Sequence, residues 1–332
     1  MAMTSVLKKQ TYLAFNVAES ITASVWLRWR REEPCIIAFM FHRLCDDLRI
    51  FKQNAILPHQ RTTVAHFREL IERMLAAGYK FVRPGGIPEC QDPRGYYAVI
   101  TFDDGYYDNH LALPVLEEFR VPAVFFISSR HVLEGKLIWS DALYRELMRR
   151  RPDGAGVKEE IDRIGQWKTS EIEEHLLREF GSGALRPTGD IDRLFTPAEL
   201  SCLANHPLAV IGNHTANHAV LTRYSQAEAL TEIQTAQRDL QEITGYLPDA
   251  IAYPNAEWNA QVVDLARQAG ISYGFIGDST RLSVAALATT DLLTLPRFAP
   301  AGDKSIATQC NRIRLNLQWY RRFKNRLGKL CS

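Results

Sequence analysis

The sequence predicts an α/β fold, a barrel of parallel strands interrupted by one helical insertion. Short, almost continuously apolar runs alternate with amphipathic stretches at helical spacing, the pattern of parallel strands covered on both faces. Seven or eight such β/α units follow one another along the chain. Polar and ionisable residues recur where the apolar runs stop, the end of a barrel strand at which function collects. The 332 residues suit one large domain, and 46% hydrophobic and 23% charged residues are ordinary for a soluble globular chain. A net charge of +2 points to no class of partner.

Taken in order, "CIIAFMF" reads as the first strand and stops on His42. Phe67, Leu70, Ile71, Met74 and Leu75 form the apolar stripe of a helix, and "KFV" after it reads as a strand. "AVITF" ends on Asp103 and Asp104, and "NHLALPVLEEF" returns as a helix to the strand "PAVFFIS". From about 131 to 192 the rhythm gives way to charged, helix-rich sequence without a strand, read as an insertion on the rim of the fold. Thr196, Pro197 and Glu199 then supply an N-cap, a first-turn proline and a capping box. The strand "LAVIGN" runs into His214, and Ser225 with Glu228 forms a second capping box. The strand "AIAYP", the helix "AEWNAQVVDLARQAG" and the strands "SYGFIG" and "LLTLPRF" complete the series, the last carrying Arg297. The domain is therefore expected over 34–303, flanked by an N-terminal segment (1–33) and a C-terminal tail (304–332).

The N-terminal apolar stretch, Tyr12 to Trp29, is broken by Asn16, Glu19, Ser20 and Arg28, too polar for a confident span and without a cleavage site. It reads as an amphipathic helix lying on the domain or on a membrane surface. The tail holds eight basic residues and no acidic one. Either it is a solvated helix packed through Leu315, Trp319 and Phe323, or it touches anionic lipid or a polyanionic glycan. No nucleic-acid-binding module and no phosphate-binding glycine loop accompanies it. Six cysteines are scattered without a CxxC, which argues against a disulfide framework or a thiolate metal site and suits a reducing compartment. A cytoplasmic protein is expected, peripheral on the inner membrane if its ends bind lipid.

In a parallel barrel the strand ends converge on one face, bringing His42, Asp103, Asp104, His214, His218, Asn255 and Arg297 together. His214 and His218 are four apart, so one helical turn would point both imidazoles the same way. Two imidazoles and a carboxylate make a facial set for zinc or a similar divalent ion, with positions left open. His59, His66, His110, His131, His175 and His206 read instead as satisfied polar residues. At a strand-to-turn junction, adjacent aspartates can share a cavity, one binding the metal and the other taking a proton from water.

The motif TFDDG, Thr101 to Gly105, followed by HTANH, His214 to His218, resembles the polysaccharide deacetylase family, carbohydrate esterase family 4. The likeness runs from about Cys35 to Pro300 and includes "FHRL", the "YP" turn and the closing "LPR". It implies a distorted (β/α)7 barrel and hydrolysis of an N-acetyl group on an N-acetylated glycan. It also implies Asp103 as general base and a divalent metal, zinc above all, on Asp104, His214 and His218. Thr215 would orient the loop. The backbone N–H of Asn255, after Pro254, would stabilise the oxyanion.

Two family features are absent. Ala252 stands where an arginine steadies the catalytic aspartate, and no histidine follows His218 to serve as general acid. His42 is the candidate acid. Arg297 either replaces the missing arginine or forms an ordinary rim ion pair. Tyr253 and Trp258 could wall the cleft for the acetyl methyl or the sugar face, or fill core. Tyr106 and Tyr107 read as groove or surface residues. Two alternatives remain: opening of a cyclic amide or imide by the same fold, and a non-catalytic glycan-binding protein.

Overall fold

The computed structural model describes residues 32–46, 56–302 and 304–315. The expected amphipathic helix of 1–33 and the tail beyond Leu315 lie outside these residues, apart from Glu32 and Glu33. Among the described residues no helix is long and apolar enough to cross a membrane.

Seven parallel strands close into a barrel: β1 (Cys35–Phe41), β2 (Tyr96–Phe102), β3 (Ala123–Ile127), β4 (Ala209–Asn213), β5 (Ala250–Ala252), β6 (Tyr273–Ile276) and β7 (Leu295–Phe298). They follow one another in chain order, and β7 pairs with β1 to seal the cylinder. The closure is uneven. Seven residue pairs join β1 to β2, whereas a single pair, Asn213 with Ile251, joins β4 to β5. The "KFV" run forms a two-residue strand, Lys80–Phe81, beside the start of β2. It lies outside the closed ring, because the middle and end of that edge of β2 pair with β3.

Period-two alternation sorts the strand residues. Ile36, Ala38, Tyr97, Val99, Val124, Phe126, Ala250, Ala252, Phe275 and Leu295 meet as one cluster inside the barrel. The intervening Ile37, Phe39, Phe41, Ala98, Ile100, Phe102 and Phe125 face the surrounding helices, packing on Phe67, Leu70, Ile71 and Met74 of the helix Val64–Ala76. Both faces are buried, which is why the strands read as continuous apolar runs. Gly212 is required on β4 because a Cβ there would fall 2.3 Å from the Phe126 ring.

Both predicted capping boxes form, opening the helices Pro197–Ala204 and Gln226–Thr244. The insertion contains the helices Trp139–Arg150, Val157–Ile164 and Thr169–Phe180. It is bound more deeply than a rim decoration, since buried Tyr106, just past β2, donates to buried Asp141 of the insertion at 2.5 Å. The start of the basic tail forms the helix Ile306–Arg314, whose Ile306, Cys310 and Ile313 join the core outside the barrel.

Candidate active site

The alternation that fills the barrel also aims residues at its mouth. His42 continues the inward series Ile36, Ala38, Met40, and Asp103 continues Val99 and Thr101. His214 follows Val210 and Gly212, and Arg297 follows Leu295. Two of these positions extend the ladder past the strands: Asp103 N–H donates to Phe41 O at 2.9 Å and His214 N–H to Ile127 O at 3.0 Å. Asp104 has the opposite parity and reaches the same mouth only because its backbone turns to φ 78°. Aspartate tolerates that conformation better than most residues.

His214 and His218 do converge, with ring centroids 5.0 Å apart, but no helical turn brings them together. A tight loop does so, with Thr215 at φ 63° and His218 at φ 49°. Asn213 points outward and fixes that loop, donating to Ile233 O at 2.9 Å and accepting the Thr215 N–H at 2.8 Å. Thr215 Oγ1 accepts the Ala219 N–H at 2.7 Å, so this side chain is spent inside the loop.

Asp104 Oδ1 lies 3.2 Å from Nε2 of both His214 and His218, and it is buried without a hydrogen-bond partner. His214 Nδ1 sits 2.8 Å from Ala252 O, so it carries the proton and leaves Nε2 with a free lone pair. One orphaned carboxylate oxygen and two imidazole nitrogens thus aim at one point, with all three ligand atoms within 4.8 Å of one another. The donor set fits a divalent cation. Burial pushes the Asp104 carboxyl up, but its contacts with His214 and His218 prevail and hold it well below the usual range.

Asp103 is gripped by Arg297 in a two-pronged ion pair, Nη1 to Oδ1 at 2.6 Å and Nη2 to Oδ2 at 2.8 Å. Arg297 Nη1 also donates to Thr101 Oγ1 at 3.0 Å, and that hydroxyl donates to Phe39 O at 2.9 Å. Burial raises the Asp103 carboxyl, yet Arg297, with His214 and His42, brings it below its ordinary value. The His42 imidazole is lowered chiefly by burial, against the pull of Asp104 and Asp103.

These groups open into a cleft of about 440 Å³. Its lining includes His42, Asp103, Asp104, His214, His218 and Asn255, the last at φ 55°. The remaining expected residues lie off the cleft. Tyr253 is on the outward parity of β5, fully buried, with its hydroxyl donating to Leu293 O at 3.0 Å. Pro254 is buried beneath Asn255, and Trp258 is 41% exposed in the loop before the helix Ala260–Gln268. Tyr106 is neither groove nor surface: buried against the insertion, it donates to Asp141 Oδ2 at 2.5 Å.

Several cleft residues carried no sequence signal. His59, read from the sequence as a satisfied polar residue, lines the cleft 6.3 Å from His42, ring to ring. Ile138, Trp139, Ile161 and Gln166 come from the insertion, which forms a wall of the site. An apolar pair opening a helix, "IW", was the available hint for Trp139.

The family model for polysaccharide deacetylase matches residues 91–274, more than half of the chain. No curated protein matches the sequence. Among solved structures, the Streptococcus pyogenes deacetylase PplD in complex with acetate is 17% identical with a TM-score of 0.57, covering 85% of this chain and 99% of that one. A de-N-acetylase from Aggregatibacter actinomycetemcomitans is 14% identical (TM-score 0.55; 82% and 97%). IcaB from Ammonifex degensii is also 14% identical (TM-score 0.54; 86% and 98%). At these identities the likeness is one of fold, the closed seven-stranded (β/α)7 barrel. Together with the family match across both motifs, it establishes that the chain belongs to the polysaccharide deacetylase family.

Proposed function

We propose that the protein is a metal-dependent hydrolase that removes N-acetyl groups from an N-acetylated glycan or glycolipid precursor. The observation that carries this reading is the pairing of two adjacent acids with two different jobs. Asp104 aims an orphaned oxygen at two imidazoles, while Asp103, one residue away, is held ionised by Arg297.

A divalent ion on Asp104, His214 and His218, of which zinc best suits this donor set, supplies Lewis acidity toward water and the amide carbonyl. The protein's own groups do the rest. Asp103 accepts the proton of the attacking water. Arg297 occupies one lone pair on each of its oxygens, fixing the carboxylate's plane while leaving a lone pair free to receive that proton. The water oxygen bonds to the acetyl carbon, and the C–N bond breaks as the nitrogen takes a proton from His42, leaving a free amine and acetate. Burial keeps His42 neutral at rest, so it takes a proton from solvent before giving it to the nitrogen, and Asp104 and Asp103 stabilise the imidazolium that carries it. The Asn255 N–H is the candidate donor to the carbonyl oxygen.

The test is acetate release from a panel of N-acetylated saccharides by the metal-loaded protein, with Asp103→Asn as control. Loss of activity with metal content unchanged is expected. An Asp103→Asn protein that still releases acetate at the parent rate refutes the base assignment.

A further inference from the structure

The cleft is walled by a chain of contacts that runs around most of its circumference. On one side, the segment after β1 is tied to the insertion: Arg61 Nη2 donates to Tyr144 Oη at 3.3 Å, and Gln60 Nε2 donates at 3.2 Å to Tyr106 Oη, which itself donates to Asp141. On the far side, the insertion is tied to the loop after β4. Arg223 Nη1 donates to Gly165 O, and Thr169 N–H donates to Tyr224 Oη at 2.9 Å. Arg223 Nη2 then grips Glu257 Oε1 at 2.6 Å, carrying the wall to the loop after β5. His59, Trp139, Gly165, Arg223 and Glu257 all line the cleft, so this wall is also its surface. Among the described residues, none from the loops after β6 and β7 does so.

A groove that accepts an internal residue of a polymer needs two exits, one for each direction of the chain. Here the side facing β3, β4 and β5 is closed by the insertion and the Arg223–Glu257 pair, and among the described residues the side toward β6 and β7 carries no lining. We infer that the site takes a chain-terminal N-acetylated sugar, with the rest of the glycan or its aglycone leaving on the side that the described residues leave unlined, toward β6 and β7. The inference rests on the deacetylase reading and narrows its substrate.

Two measurements decide it. First, the metal-loaded full chain is incubated with an N-acetylated β-linked hexosamine pentasaccharide, and the product is sequenced by tandem mass spectrometry. Deacetylation at one chain end, favoured about tenfold or more over any internal residue, is expected. In the Arg223→Ala/Glu257→Ala double variant, internal products are expected to appear while thermal unfolding shows a folded protein. Internal products from the unaltered enzyme, or an unchanged pattern in a folded variant, overturn the inference. Second, calorimetric titration of the metal-loaded Asp103→Asn protein with N-acetylated chains of increasing length counts sites per chain. A number independent of length is expected, and one that grows with length overturns the closed wall. If no saccharide yields acetate, the deacetylase reading fails, while the stoichiometry still judges the wall by itself.

Discussion

Replacing Arg297 by alanine probes the ion pair on which the proposed base depends. Both partners are sequestered, Arg297 at 1% and Asp103 at 3% exposure, and both hydrogen bonds are short. Removing one member of a buried pair leaves the other charge without compensation and costs about 3–5 kcal/mol. The same loss moves the carboxyl. Asp103 now lies below its usual value because Arg297, with two histidines, outweighs burial. Without the guanidinium the carboxyl rises, because the largest group opposing burial is gone. The acid limb of kcat/KM should shift upward with it. Denaturant unfolding gives the stability change, and acetate release followed by proton NMR from pH 4 to 9 gives the profile. Arg297→Lys keeps the charge but loses the fork and the Thr101 contact, so it should fall between parent and alanine on both readouts. A profile unmoved in both variants, with the protein folded and metal retained, would refute the assignment of Arg297 as the group that steadies Asp103.

His42→Gln should lower kcat by about 10²–10⁴-fold with metal content unchanged, as loss of a proton donor does; turnover equal to the parent's removes His42 from the chemistry. His214 in the metal-free protein is raised by Asp104 and Asp103 against the opposing effect of burial. Its proton therefore competes with the cation, and metal affinity measured by calorimetry should weaken as pH falls through and below neutrality, with more protons released per ion bound. Affinity flat from pH 8 to 6 contradicts this. Asp141 is pushed up by burial to about 7, beyond what Arg43 and Tyr106 offset. A raised carboxyl favours folding while protonated, so its contribution is present at low pH and lost as pH rises from about 4 through 7. It should cost about 2–3 kcal/mol between pH 5 and pH 8. Asp141→Asn should flatten that slope in thermal unfolding, and an identical slope in the variant sinks the account.

The parts of the site that could be read in advance are those governed by short-range rules. TFDDG closing an apolar strand and HTANH closing another gave the positions of Asp103, Asp104, His214 and His218, and the caps at Thr196 and Ser225 rest on local hydrogen bonding. Parity explains one failure: two residues past Ile251 on an alternating strand, Tyr253 faces the outer core, not the cleft. The helix supposed for the His214–His218 turn has the right spacing but the wrong backbone, since the turn depends on the outward Asn213 capping it. His59 and Trp139 belong to segments whose placement is set by distant partners, Tyr106, Tyr144 and Asp141, that no local pattern specifies. Arg297 needed a relation across the barrel, and only the missing arginine at Ala252 drew attention to it.

The single residue pair between β4 and β5 has a consequence for how the molecule opens. A cylinder stitched by seven pairs at one joint and one at another will breathe at the weaker joint, and amide exchange should be fastest there. His214 and His218 ride on β4, at the lip of that joint, while Asp104 belongs to the firmly stitched half. The insertion grips the loop after β4 at that lip, Thr169 meeting His218 O and Tyr224, and Gly165 O accepting from Arg223. What looks in the sequence like an appendage therefore acts as a splint, and shortening it would loosen the histidines before it disturbed the acids.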